Sequence, residues 1–329
     1  MIGRATMERD VLVLATGGTI GMRGRGSAPG GGSHAVPAAG ARDLLDAVGL
    51  TGVQARDLLG RPGAHIDLAD ALLVARTAVR HAASGRGVVV LHGTDTLEEA
   101  AFLCDLLHGG DAPIVFTGAI RPGSAPGADG PANLLDAVAV AGAPAAAGLG
   151  CVVVFGGEVH AARTARKVDS AGPSAFGSPG GGRLGRVVEG RLALRTRPVR
   201  PAAALAPERL DFAVPIVTAA LGDDLALLDA PADGAVLVAF GGGHLSPAGL
   251  ARLRGAAARM PVALAVRPER GALLHATYGF EGAEGDLRAS GAVPAGALSG
   301  PAARMKLLAC LGCGLDRAGI AEAFANDDA

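Results

Sequence analysis

Threonine hydroxyls, a carboxylate and a rare lysine are the residues of this 329-residue chain whose types suit covalent chemistry. Thr19 lies in the segment "LATGGTIG", and Thr94 and Asp95 lie in "HGTDT". A threonine hydroxyl is a weak nucleophile that needs an adjacent base. Only two of the 30 basic side chains are lysines, Lys167 and Lys306. A desolvated lysine can accept a proton, which arginine cannot do in a protein, so a lysine retained among arginines is a candidate base.

Lys167 is the better placed of the two lysines. It lies in "HAARTARKVDS", which is predicted to be a polar loop after the apolar strand Cys151 to Phe155, whereas Lys306 lies in a helical pattern and is interpreted as structural. Thr94, Lys167 and Asp95 would then supply a hydroxyl, a proton acceptor and a carboxylate that holds the ammonium. The alternative is that the presence of two lysines among the 30 basic side chains is due to chance.

The segment "HGTDT" also has a purely structural interpretation. Thr96 to Glu99 has the S/T-x-x-E form of a capping box, which predicts that a helix starts at Thr96. This accounts for Thr96 and Glu99 but not for Thr94 and Asp95. Those two residues lie before the positive end of the helix, where free N–H groups favour anions. A second threonine-containing turn on a neighbouring strand favours chemistry over capping alone.

The elements that must position these residues alternate between apolar strands and amphipathic helices. Uninterrupted apolar strands alternating with helices predict an α/β protein with a parallel sheet covered on both faces. The predicted strands are Val11 to Ala15, Val53 to Leu58, Val88 to Leu91, Pro113 to Thr117 and Cys151 to Phe155, and the predicted helices are Ala41 to Val48, Leu68 to Ala83, Leu97 to His108 and Ala132 to Val140.

The chain then divides into domains. A hairpin is predicted over Gly185 to Thr196, and a proline- and alanine-rich stretch after it indicates a linker. We therefore predict an N-terminal domain at 1–196, a linker at 197–211 and a smaller C-terminal α/β domain at 212–329. Its strands are predicted at Val214 to Thr218, Ala235 to Phe240 and Val262 to Val266.

Four polar turns follow predicted strands of the first domain. Ligands of open parallel sheets bind outside the carboxyl ends of the strands, so one crevice can collect residues from all four turns. The turns are Thr16 to Thr19, Arg61 to His65, His92 to Asp95 and Gly118 to Arg121.

Composition excludes several other classes. A net charge of −1 and 3% aromatic residues argue against nucleic acid as a partner, and no segment is a persuasive membrane span, which predicts a soluble, cytoplasmic protein. The turn Gly17 to Gly21 does not match G-x-G-x-x-G, and no G-x-x-x-x-G-K-[ST] motif occurs in the chain, so a dinucleotide-binding or P-loop enzyme is disfavoured. The single C-x-x-C, Cys310 to Cys313, has no second ligand pair, and we predict no metal site.

"LATGGTIG" and "LHGTDTLEEAAFLCDLL" closely resemble the two signature segments of the bacterial L-asparaginases, in the asparaginase/glutaminase family. "FTGAIRPGSAPGADGPANLLDAV" and "RTARKVDSAGPSAFGS" continue the resemblance in order over nearly the whole chain. It implies a larger N-terminal flavodoxin-like parallel-sheet domain followed by a smaller C-terminal α/β domain. It also implies a cofactor-free amidohydrolase that converts L-asparagine to L-aspartate and ammonia through a threonyl acyl-enzyme, assembled as a homodimer or homotetramer.

The resemblance assigns catalytic roles to Thr19, Thr94, Asp95 and Lys167, with Thr19 as the usual acyl-accepting nucleophile. It also implies that Asp95 binds the α-amino group of the substrate. Further substrate contacts are implied for Gly93, for the carbonyl of Ala119 and for Glu284 from a neighbouring subunit. Two positions depart from the family pattern. His34 stands where a tyrosine is usual, and Gly63 stands where a serine is usual.

These departures leave the substrate open. A lost hydroxyl contact to the α-carboxylate costs about 1.5–3 kcal/mol. The alternatives to asparagine are therefore a related amide such as L-glutamine or a D-amino acid amide, and a non-catalytic amino-acid-binding homologue. His34 is titratable near neutrality and is interpreted either as a proton relay or as an exposed loop histidine.

Overall fold

A computed structural model describes residues 8–25, 34–37, 39–200 and 204–325 of the chain. It contains two compact units, Met1–Ala204 and Leu205–Ala329. The boundary between the units falls inside the range 197–211 that was predicted as a linker. Each unit is described separately below.

The N-terminal unit is built on one eight-stranded sheet with the order β12-β11-β8-β7-β6-β5-β1-β4. A separate pair is formed by β2 and β3, and another by β9 and β10. The strands are β1 (Val11–Gly17), β2 (Met22–Arg25), β3 (His34–Pro37), β4 (Gln54–Arg61), β5 (Gly87–Leu91), β6 (Ile114–Thr117), β7 (Cys151–Phe155), β8 (Glu158–Ala161), β9 (Arg166–Lys167), β10 (Phe176–Gly177), β11 (Gly185–Val188) and β12 (Arg191–Leu194).

The parallel sheet that the apolar runs predict is confirmed for five strands. Strands β4, β1, β5, β6 and β7 are mutually parallel neighbours. Strands β8, β11 and β12 extend the sheet in antiparallel fashion. The expectation of a polar loop after β7 is therefore wrong, because Gly156 and Gly157 turn the chain back into β8 and Lys167 lies in β9. The predicted hairpin near Glu189 is confirmed as β11 and β12.

Four helices cover this sheet. Every residue of β5, β6 and β7 is buried, and successive strand residues point to opposite faces, so both faces are covered. Val89 and Val115 share a buried apolar cluster with Leu134 and Ala137. The helices are α1 (Ala41–Ala47), α2 (Leu68–Ala82), α3 (Leu97–Leu107) and α4 (Gly130–Gly142), each within a few residues of its predicted range.

The C-terminal unit contains a four-stranded parallel sheet in the order β13-β14-β15-β16. The second set of apolar runs predicts the first three of these strands but not the fourth, which has only two residues. Two of its helices begin with Ser-x-Pro or Ser-Pro sequences in which Ser246 and Ser299 accept backbone N–H groups as N-caps. The elements are β13 (Ile216–Thr218), β14 (Ala235–Ala239), β15 (Val262–Val266), β16 (Val293–Pro294), α5 (Pro247–Arg259), α6 (Glu284–Arg288), α7 (Gly300–Gly312) and α8 (Arg317–Ala325).

The remaining cysteine and lysine predictions concern α7. Cys310 is buried and Cys313 half-buried at the helix end, and neither forms a disulfide bond among the described residues. Lys306 is 3% exposed and lies 5.0 Å from the ring centroid of Phe324. Among the described residues, no cluster of three or more His, Cys, Asp or Glu side chains is arranged to hold a metal ion. In the same ranges, no helix combines the length and apolar character needed to span a membrane.

Candidate functional site

The turn after β1 is formed by two glycines that no other residue replaces easily. Gly17 and Gly18 have φ values of 108° and 84°, in the left-handed region that favours glycine. A Cβ on Gly18 would lie 2.5 Å from Cα of Gly93, in the turn after β5. Thr19 follows directly and begins a single 3-10 turn. The "TGGT" segment therefore packs its backbone against the "HGTDT" segment and places Thr19 one residue from that contact.

The turn after β4 joins the same contact. A Cβ on Gly93 would lie 2.5 Å from Cα of Gly63, and a Cβ on Gly63 would lie 2.9 Å from the carbonyl carbon of Gly93. We call Gly18, Gly93 and Gly63 the glycine contact. Because β5, β1 and β4 are neighbours in the sheet, their three turns meet at its carboxyl edge with no side chain between them.

Thr96 has a different role from the predicted one. Helix α3 begins at Leu97 with Thr96 as its N-cap residue, as expected, but the Thr96 side chain forms no capping hydrogen bond. Its ψ of 11° departs from the extended backbone usual at an N-cap. The hydroxyl instead donates to the carbonyl of Gly63 at 2.8 Å. The capping-box prediction is therefore wrong for Thr96, which ties α3 to the turn after β4.

Lys167 brings three of the four predicted catalytic residues together. Its Nζ donates to Oγ1 of Thr94 at 2.9 Å and to Oδ1 of Asp95 at 2.9 Å. The Lys167 side chain is 23% exposed and that of Asp95 is 60% exposed, whereas Thr94 is buried. A hydroxyl in contact with an amine, beside a carboxylate, is an arrangement that can transfer the hydroxyl proton. Solvent reaches Asp95, so this carboxylate is available to a ligand.

Several polar groups near these turns serve the main chain instead. Thr16 is fully buried and donates to the carbonyl of Leu91 at 3.0 Å, and Thr117 donates to the carbonyl of Val154 at 2.7 Å. Burial lowers the pKa of His92, whose Nδ1 donates to the carbonyl of Gly93 at 2.9 Å. These groups fix the strand ends.

The turn after β6 carries Ala119, which is buried. The carboxylate of Asp129 accepts the backbone N–H groups of Ile120 at 3.0 Å and Arg121 at 2.8 Å. Sequence analysis missed Asp129, although its position before Gly130-Pro131 at the start of α4 is a helix-start signal.

Asn133 completes this turn. Its Nδ2 donates to the carbonyl of Gly118 at 3.0 Å and to Asp129 at 3.1 Å, and its Oδ1 accepts the N–H of Gly156 at 3.0 Å. One buried amide therefore links the turns after β6 and β7. No sequence motif marks Asn133, because two of its three contacts are with backbone groups that are distant in the chain.

His34 and Glu284 are the two other predicted substrate-binding residues. His34 lies in β3, where its backbone pairs with Arg25, and its side chain is outside the described part of the structure. Glu284 belongs to the C-terminal unit and is fully buried. Its Oε1 accepts the N–H of Tyr278 at 2.7 Å and that of Thr277, and its Oε2 lies 3.3 Å from Nε2 of His244.

The contacts of the Glu284 carboxyl favour its ionised form. Burial opposes its ionisation, but the backbone N–H groups of Tyr278 and Thr277 together with His244 keep the pKa of the carboxyl below its ordinary value. The His244 ring packs edge-on against Tyr278 at 4.9 Å between centroids. The role predicted for Glu284 in a neighbouring subunit's site stays a prediction.

The fold and the site together define a two-unit α/β protein with a threonine–lysine–aspartate cluster at the carboxyl edge of its larger sheet. Residues 10–200 match the family described as asparaginase, N-terminal, and residues 213–324 match the glutaminase/asparaginase C-terminal domain. The chain belongs to the asparaginase family of amidohydrolases.

Known proteins agree with this assignment over the whole chain. A probable L-asparaginase of Deinococcus radiodurans is 37% identical over 332 residues, covering 97% of this chain and 98% of that protein. L-asparaginase 2 of Escherichia coli is 32% identical over 260 residues, covering 74% and 73%. The crystal structure of a probable cytoplasmic L-asparaginase from Campylobacter jejuni superposes with a TM-score of 0.82 at 25% identity, covering 96% of this chain and 99% of that one.

Proposed function

We propose that this protein hydrolyses the side-chain amide of L-asparagine to L-aspartate and ammonia through a threonyl acyl-enzyme. The observation that carries the proposal is the position of Lys167 Nζ, 2.9 Å from both the Thr94 hydroxyl and the Asp95 carboxylate. Relatives named L-asparaginase and glutaminase-asparaginase, including one from Pseudomonas fluorescens biotype A, support this substrate class.

The proposed reaction proceeds in two displacements. The hydroxyl oxygen of Thr19 attacks the amide carbon, the hydroxyl proton passes to the leaving nitrogen, and ammonia departs to leave a threonyl ester. Water then adds to the ester carbon and releases L-aspartate and the free hydroxyl. Thr94, deprotonated toward a neutral Lys167, prepares the attack or the water, and Asp95 holds the resulting ammonium.

Substrate binding is proposed from the family resemblance together with the exposed face of Asp95. The Asp95 carboxylate binds the substrate α-amino group, and backbone N–H groups of the turns hold the oxyanion that develops on the amide oxygen. The further contacts come from the Gly63 and Gly93 backbone, the Ala119 carbonyl, His34 as a proton relay and Glu284 of a neighbouring subunit in a homodimer or homotetramer.

The proposed setting is cytoplasmic, as in the name of the Campylobacter jejuni protein, and the proposed reaction uses no cofactor. Turnover in the presence of a chelator tests the second point. Loss of activity on chelation, restored by a metal ion, would contradict it.

An amide panel on the purified protein tests the function. We expect ammonia release from L-asparagine, with no release from the Thr19→Ala and Thr94→Ala variants, and trapping of the acyl group by hydroxylamine as aspartyl hydroxamate. Faster ammonia release from L-glutamine or from a D-amino acid amide would show that this amide, and not L-asparagine, is the preferred substrate. Binding of aspartate without ammonia release from any amide would identify a binding protein.

A further inference from the structure

Residues 94–98 contact both the side-chain amine and the main chain of Lys167. Its Nζ contacts Thr94 and Asp95, just before α3. Its backbone N–H donates to Oε2 of Glu98, in the first turn of α3, at 2.6 Å. The ammonium and the main chain of Lys167 are thus both attached within residues 94–98.

The Glu98 contact is a strong one for a backbone group. A hydrogen bond from an N–H to a carboxylate is charge-assisted and is about twice as strong as a neutral one. It joins the Lys167 main chain directly to α3, whereas β9 itself has only two residues and pairs with two residues of β10. On the other side, the segment is held by that short ladder and by the N–H groups of Val168 and Asp169, which donate to the carbonyl of Ala175 at 2.7 and 3.3 Å.

A lysine side chain has four rotatable carbon–carbon bonds, so its amine reaches a defined point only when the main chain is fixed. Displacement of a catalytic group by about 1 Å can cost about 100-fold in rate. We propose that Glu98 is a positioning residue, which fixes the Lys167 main chain so that Nζ reaches the Thr94 hydroxyl. The kinetic part of this inference rests on the proposed function.

Paired substitutions test the kinetic part. Glu98→Ala removes the acceptor and is expected to lower kcat for asparagine at least about tenfold with KM changed less than about threefold. Glu98→Gln keeps an acceptor oxygen of the same reach and is expected to restore kcat to within about threefold of wild type.

Ser178→Ala is the matched control for general loosening of the β9–β10 hairpin. The Ser178 hydroxyl accepts from Thr164 Oγ1 at 3.2 Å and lies 3.0 Å from His160 Nδ1, so it closes the open end of the hairpin without touching Lys167. We expect its kcat to stay within about threefold of wild type. An equal loss in Ser178→Ala and Glu98→Ala would overturn the proposal.

A second measurement does not depend on turnover. Because the chain has two lysines, selective ¹⁵N-lysine labelling yields two lysine backbone amide signals, and Lys306 in the C-terminal unit is the internal reference. Glu98→Ala is expected to shift the Lys167 amide proton upfield and speed its exchange with solvent, while Glu98→Gln and Ser178→Ala largely preserve it.

The two readouts separate the two proposals. A wild-type protein that releases no ammonia from any amide, but whose Lys167 amide responds as expected, ends the proposed function and keeps the Glu98 contact. An active protein whose kcat is unchanged in Glu98→Ala overturns the positioning role, and so does an unchanged Lys167 amide in that variant.

Discussion

The ammonium of Lys167 and the hydroxyl of Thr94 are in direct contact, although 73 residues separate them in the chain. The contact joins β9 to the turn after β5, and Oδ1 of Asp95 accepts a hydrogen bond from the same amine. A hydroxyl, an amine and a carboxylate in this order form a path along which a proton can move. The first prediction tests whether the amine must lose its proton.

Lys167→Arg is expected to be nearly as damaging as Lys167→Ala, with both lowering kcat by at least about 100-fold. Arginine keeps the positive charge but does not deprotonate in a protein. Steady-state ammonia release at saturating asparagine measures the effect. Restoration of activity by arginine would show that Lys167 acts only as a positive charge.

Gly63→Ser, which introduces the residue usual in the family, is expected to lower kcat/KM or thermal stability instead of improving asparagine binding. The new Cβ would lie 2.9 Å from the carbonyl carbon of Gly93, so the glycine contact must open. Gly60→Ser is the control, since a Cβ on Gly60 has no atom within 4 Å. A lower KM with an unchanged melting temperature in Gly63→Ser would refute this reading.

Asp129→Ala is expected to destabilise the turn that carries Ala119. The variant leaves two backbone N–H groups and the amide of Asn133 without their shared acceptor, at a cost of about 2–3 kcal/mol. Asp129→Asn retains one acceptor oxygen and should lose less. Chemical denaturation measures the stability, and equal stabilities of the alanine variant and the wild type would contradict the assignment.

Asp136→Asn is expected to stabilise the protein at pH 8 and to lose that gain on acidification. Burial raises the pKa of the Asp136 carboxyl to about 6, above its ordinary value of 3.8. Between these values the folded state binds a proton that the unfolded state does not, so the penalty of a buried charge is full above pH 6 and disappears toward pH 4.

With allowance for screening by solvent, the gain of Asp136→Asn at pH 8 is about 1 kcal/mol, or about 2–4 °C in melting temperature. Melting curves at pH 8 and pH 4.5 measure it. Asp46→Asn, at an exposed position on α1, serves as the control. A gain equally large at both pH values would contradict the assigned cause.

The elements that apolar patterning specifies were predictable from the sequence. The runs at Val11 and Cys151 become buried parallel strands, and the polar turns that follow the strands collect at one edge as the topology rule requires. The antiparallel strands were not predictable in the same way. Strand β8 is four residues long, mixes Glu158 and His160 with apolar residues, and gives too short a pattern for a strand to be assigned.

Residue types alone identified Thr94, Asp95 and Lys167, because their chemistry is unusual in this composition. They did not identify Glu98, Asp129 or Asn133, whose partners are backbone groups brought near by the fold. Thr96 is the opposite case, in which a sequence motif is present but the side chain forms a different hydrogen bond. Its motif was correct for a helix start, yet a carbonyl 33 residues away competes successfully for its hydroxyl.

The glycine contact also bears on how this enzyme can be varied. The carboxyl edge of the sheet is assembled there from main chain alone, with no side chain to shorten or exchange. A library that randomises the turns after β1, β4 and β5 should therefore return many residue types at Ala64 and His65, which flank the contact. At positions 18, 63 and 93 it should return only glycine.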